Sequence, residues 1–220
     1  MSAVVATEVY VSRLARLRQQ MTEQGVDAVL LSVGHDMPYL MGYQAMPLER
    51  LTMFVVPAAG VPTLIIPKLE APRVIAMNDL FDLLPWGETE DPVALTHQCL
   101  GDARVIAVGD QMWARFLVEL LTFRPQARYV RAQELMKPLR AVKDQAEIDA
   151  LIAVGAAADR VAMQLQAGKI PLVGRTEAQV SADISARLLL LVKTLQVHTI
   201  IQDLESFNAV KLFCAILVEP

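Results

Sequence analysis

Arg13-Leu14-Ala15-Arg16-Leu17-Arg18-Gln19-Gln20-Met21-Thr22-Glu23-Gln24-Gly25-Val26-Asp27-Ala28-Val29-Leu30-Leu31 is the stretch that sets the fold class. With Val9 just upstream, Leu14, Leu17 and Met21 recur at helical spacing, while Arg13, Arg16, Arg18 and Gln19 fall off that stripe. Gly25 supplies a residue at which a helix can stop. Val26 to Leu31 then runs apolar except for Asp27, as a strand covered on both faces must. A helix followed at once by a buried strand predicts layered α/β architecture.

The pattern continues outward from there. A short helix is expected from Met37 to Met41, ended by Gly42. Strands are expected at Leu51–Val56 and Pro62–Ile66, and Pro57-Ala58-Ala59-Gly60 between them reads as the turn of a hairpin. The spacing predicts a helix over Leu69–Met77 and a strand over Leu80–Trp86. Asp91 is a favoured N-cap and Pro92 a favoured first helical residue, so a helix is expected to Leu100. Arg104–Val108 reads as a strand, Met112–Phe123 as a helix and Arg128–Arg131 as a last short strand. Helices alternating with short strands, plus one hairpin, predict a mixed sheet flanked by helices, with the domain ending near Met136.

Pro138–Lys143 reads as a linker. Asp144-Gln145-Ala146-Glu147 has the spacing of a capping box, in which the first side chain caps the helix and the Glu reaches back. Its helix is expected to reach Gln166, with Ile148, Leu151, Ile152, Gly155 and Ala156 on one face. Thr176-Glu177-Ala178-Gln179 repeats the box and opens a helix through Val180, Ile184 and Leu188. Beyond about residue 190 the pattern degrades, and Thr194–Ile201 and Ala209–Val218 are ambiguous.

Composition narrows the function classes. Of 220 residues, 54% are hydrophobic and 20% charged, which is apolar for a water-exposed domain and excludes disorder. The net charge of −4 and the scattered Lys and Arg offer no footprint for nucleic acid or an anionic membrane. Cys99 and Cys214 share no metal-ligand spacing and are expected to be reduced thiols. Leu188–Val192 is far short of the roughly 20 apolar residues that span a bilayer. Met1–Glu8 lacks a signal-peptide pattern, so a cytoplasmic location is expected.

Leu139-Arg140-Ala141-Val142-Lys143-Asp144-Gln145-Ala146-Glu147-Ile148 resembles the entry to the catalytic domain of the creatinase, aminopeptidase P and Xaa-Pro dipeptidase group. Pro171-Leu172-Val173-Gly174-Arg175-Thr176-Glu177 is similar to that group's Pro-Gly-x-Thr-Glu turn, with an insertion. Tyr39-Leu40-Met41-Gly42-Tyr43 resembles its Tyr-Leu-x-Gly-Phe element, and Arg13–Leu17 with Gly25–Leu30 its first helix and strand. Together these cover residues 10–190 in the group's order. The resemblance implies a ribonuclease-H-like N-terminal domain over 1–136. It also implies an incomplete α+β pita-bread segment over 137–220, diverging after about 190 as a frameshift or rearrangement would produce. It further implies hydrolysis of X-Pro peptide bonds with two divalent metals, manganese or cobalt, and an N-terminal domain that helps form dimers.

A bridged metal pair needs several carboxylates and a His around cations about 3.5–4 Å apart; the group uses two Asp, one His and two Glu. After Thr176 this sequence offers Glu177, Asp183, Asp203, Glu205 and Glu219, with His198. On a strand Asp203 and Glu205 would share a face, with His198 five residues before Asp203. They read better as solvated residues than as ligands. His35-Asp36 lies in a loop after a strand but lacks an evident nucleophile. His97 reads as a surface or satisfied residue, Asp27 as a strand acid without carboxylate partners, and Glu49-Arg50 as a solvated or interface pair. The expectation is therefore no catalytic, cofactor-binding or metal residues in this stretch, and no activity from it alone. The alternative is a non-catalytic module that forms a homodimer or pairs with a full-length homologue.

Overall fold

The computed structural model describes residues 2–74 and 80–194 and divides the chain into two compact units, 1–142 and 143–220. In chain order the first unit holds α1 (Ser2–Gln24), β1 (Ala28–Leu31), α2 (Asp36–Met41), β2 (Met53–Pro57), β3 (Thr63–Pro67) and β4 (Asp82–Trp86). There follow α3 (Pro92–Cys99), β5 (Val105–Val108), α4 (Ala114–Phe123), β6 (Arg128–Arg131) and α5 (Gln133–Ala141). The second unit holds α6 (Gln145–Gln166) and α7 (Glu177–Thr194).

The strands form one mixed sheet in the order β4-β3-β2-β1-β5-β6. β2 pairs antiparallel with β1 and β3, while β3–β4, β1–β5 and β5–β6 are parallel. Side chains alternate faces along β1. Val29 and Leu31 join the layer under α1, α2 and α5, with Leu14, Leu17, Met21, Leu40 and Leu135. Ala28 and Leu30 join the layer under α3 and α4, with Val93, Phe116 and Leu120. The continuous apolar run of β1 is thus explained: helices cover both faces.

Gly25 follows α1 at φ 64° and Gly42 caps α2 at φ 75°, where its N–H donates to Pro38 O at 2.8 Å. The β2–β3 hairpin forms as the sequence indicates. The expected helix over Leu69–Met77 does not hold across its described part. Only a 3₁₀ turn, Ala71–Arg73, forms; Val74 is extended and Leu69 is 78% exposed. Pro72 lacks the N–H a continuing helix needs, and Val74 is β-branched; residues 75–79 lie outside the described part.

The expected Pro138–Lys143 linker is also corrected. Residues 138–141 belong to α5, and the first unit runs to Val142 rather than stopping near Met136. Pro138 removes one helical hydrogen bond, but Leu135, Met136 and Leu139 are buried in the core. The Leu139 carbonyl, orphaned near the helix C-terminus, accepts from Tyr39 Oη at 3.0 Å and Arg16 at 3.1 Å.

In the second unit Asp144 and Glu147 form the capping box at 2.8 and 2.9 Å. Thr176 and Gln179 form the second box, at 2.9 and 3.3 Å. Val161, Ile170 and Ile184 are its buried core, with Leu165, Val180, Leu188 and Leu191 packed against them. Ile184 and Leu188 therefore face the core of this unit. Ile148, Leu151 and Ile152 remain exposed. Among the described residues no helix is long and apolar enough to cross a membrane.

Candidate functional site

The parallel strands β1, β5 and β6 bring their carboxyl ends together, the place where open α/β sheets hold ligands. His35 sits at the N-cap of α2 and Asp36 in its first turn. The Asp36 carboxylate accepts from Arg140 at 2.8 Å, an ion pair linking residues 104 apart. After β5, Asp110 faces Arg131 at the end of β6: Nε donates to Oδ1 at 3.2 Å, while the terminal nitrogen reaches Oδ2 and Gln133. Hydrogen bonding to Arg131 holds the Asp110 carboxyl below the usual range and raises the guanidinium. These acids are engaged by arginines, so the edge is a tied scaffold rather than an acid/base pair.

The other residues singled out from sequence are likewise engaged. Asp27 accepts from the backbone N–H groups of Val105 and Arg104, each at 2.8 Å. Those two bonds keep its carboxyl below its ordinary value. Its job is to clamp the start of β1 to the start of β5. His97 Nδ1 accepts from Arg124 Nε at 3.0 Å, and its ring stacks on Phe123 at 5.3 Å between centroids. Arg124 also donates to the carbonyls of Ala103 and Gly101, which gathers the ends of α3 and α4 around one guanidinium. Arg50 pairs with Glu88 at 2.6 Å rather than with its neighbour Glu49. Burial pushes the Cys99 thiol up, away from the thiolate a nucleophile requires.

In the second unit Asp183 sits between Arg187 at 2.7 Å and Arg175 at 3.0 Å, which hold its carboxyl down in that order. Arg187 also reaches Gln164 Oε1 at 2.6 Å, tying α7 to α6. His198, Asp203, Glu205 and Cys214 lie outside the described residues. Among the described residues no three His, Cys, Asp or Glu side chains converge as a metal site would require. Among the described residues, the carboxylates of Asp27, Asp36, Asp110 and Asp183 are each committed to an arginine or a backbone amide rather than grouped as a two-metal centre needs.

Sequence reasoning missed the Arg124 hub and the Asp27 clamp. Their partners are backbone groups distant in the chain, and no local pattern announces them.

Comparison with known proteins places this scaffold. The profile of the Creatinase/Prolidase N-terminal domain matches residues 13–142. The protein described as probable dipeptidase PepE of Mycobacterium tuberculosis is 39% identical over 185 residues, covering 81% of this chain and 48% of that protein. The crystal structure of dipeptidase PepE from Mycobacterium ulcerans superposes with TM-score 0.74 at 37% identity, over 84% of this chain and 50% of that one. A dipeptidase from Pyrococcus horikoshii OT3 gives TM-score 0.68 at 26% identity, over 83% and 50%. The chain spans about half the length of these relatives. With a six-stranded mixed sheet between two helical layers and a matched profile across nearly all of the first unit, the chain belongs to the creatinase/prolidase N-terminal domain family.

Proposed function

We propose that these 220 residues form the non-catalytic half of an Xaa-Pro dipeptidase-type fold. Residues 1–142 are the accessory α/β domain, and the helices from Lys143 onward open the catalytic domain. The observation that carries this reading is the 39% identity to probable dipeptidase PepE over 185 residues, a length no single unit of this chain could supply. The complete assembly would cleave a dipeptide before proline with the help of two divalent cations, whose ligands lie in the other half. The α/β unit would position that half and limit access to it. The paired acids of the first unit support this role, since they stiffen a scaffold and leave no poised base. The test is hydrolysis of an X-Pro dipeptide by the purified chain with manganese added. No turnover is expected from the chain alone; manganese-dependent turnover would defeat the proposal.

A second reading, self-association or pairing with a full-length homologue, draws on one further feature. Val118 and Leu121, three residues apart on α4, are exposed apolar side chains, and apolar side chains exposed on one helix face favour an interface. Light scattering should then report a dimer at micromolar concentration. A clean monomer would remove this reading.

A further inference from the structure

His97 and Arg124 share a contact that one protonation state of the ring allows and the other forbids. Arg124 follows α4 as its C-cap, and its Nε–H donates to His97 Nδ1 at 3.0 Å. A guanidinium stays protonated in proteins and offers no acceptor. Nδ1 must therefore present a lone pair, which makes the ring neutral with its proton on Nε2. A protonated ring would set N–H against N–H, and one cation against another, at the same distance.

Arg124 is the charged side chain that faces the ring among the described residues; Phe123 stacks on it with 20° between the planes. On α3 itself the titratable groups are the Asp91 N-cap at the far end and the half-buried Cys99. The α3–β5 connection adds Asp102 and Arg104, both exposed, and β6 adds Tyr129, whose hydroxyl donates to Leu120 O.

A second influence pulls the other way. His97 lies in the last turn of α3, where carbonyls without helical partners favour a cation. Arg124 already serves that end: it donates to His97 O at 3.3 Å, to Ala103 O at 2.7 Å and to Gly101 O. A neutral ring is thus held by Arg124, while a charged ring competes with Arg124 for the same helix end. One interaction replaces the other, which keeps both arrangements within reach.

We propose that His97 and Arg124 form a pH-operated latch between the ends of α3 and α4. The neutral ring closes it. On taking a proton, His97 leaves Arg124 and the Phe123 ring and turns toward the carboxyl end of α3. This claim is independent of the functional reading above.

The test follows the full chain by NMR from about pH 8 to about pH 5, the span in which an imidazole charges. At the upper end Nδ1 of His97 should be unprotonated and Nε2 should carry the proton, with nuclear Overhauser contacts to the Phe123 ring. As the ring gains its second proton those contacts should be lost, and the Arg124 Nε resonance should move along the same curve. His97→Asn keeps an acceptor near the Nδ1 position but does not titrate in this span, so there the Arg124 Nε resonance should stay fixed. His35→Gln should behave as the wild type. A wild-type Arg124 resonance that stays in place while His97 charges would overturn the proposal, as would a proton on Nδ1 at the upper end. Equal movement in His97→Asn would also overturn it, since another group would then be responsible.

Discussion

Replacing Asp27 by alanine should unfasten the two central parallel strands at their shared end. The carboxylate accepts from the N–H groups of Arg104 and Val105, 77 and 78 residues away, each at 2.8 Å. A hydrogen bond to a charged partner contributes about 1.5–3 kcal/mol net. Asp27 is exposed, so water can replace much of what is lost, and about 1 kcal/mol per bond is the discounted figure. The expected cost is therefore about 2 kcal/mol, or a melting temperature lower by roughly 4–8 °C for a chain of this size. The pH dependence gives a second handle. The folded carboxyl lies below its ordinary value of 3.8. Its contribution is thus complete above that value and disappears as pH falls through the depressed one. Circular-dichroism melts of wild type and Asp27→Ala should differ at neutral pH and converge in strong acid. Equal melting temperatures at neutral pH, or a gap that persists unchanged in strong acid, would refute the clamp.

Leu17 is fully buried between α1 and the sheet, so Leu17→Ala should cost about 3–5 kcal/mol in urea unfolding. Gly42→Ala places a Cβ 2.6 Å from the Tyr10 hydroxyl at a backbone φ of 75°; it should cost about 1–3 kcal/mol by the same measurement. Asp183→Ala releases both Arg175 and Arg187. It should speed hydrogen exchange over residues 171–176 while leaving exchange in β1 and β5 unchanged.

Much of the fold could be read from local pattern because local physics determines it. Gly25 and Gly42 end their helices with the positive φ that glycine tolerates, and both capping boxes are closed by residues three apart. The misreadings share a cause. Pro138 signals a break, yet α5 continues through it because Tyr39 and Arg16, 100 and 123 residues away in sequence, hold the Leu139 carbonyl. Leu69–Met77 carries a helical spacing of apolar residues, but over its described part, to Val74, Pro72 is followed by only one 3₁₀ turn. Strand order was not legible at all, since β1 lies between β2 and β5 through pairings that no local motif records. The candidate site was legible only as a resemblance. The engaged states of Asp27, Asp36, Asp110 and His97 depend on partners that folding brings from elsewhere.

On the proposed function, these residues supply the scaffold and the metal ligands lie in the other half of the fold. Elemental analysis of the purified chain after dialysis against manganese tests it most directly. Metal well below one equivalent per chain is expected; two equivalents that survive dialysis would place the metal centre in these residues instead.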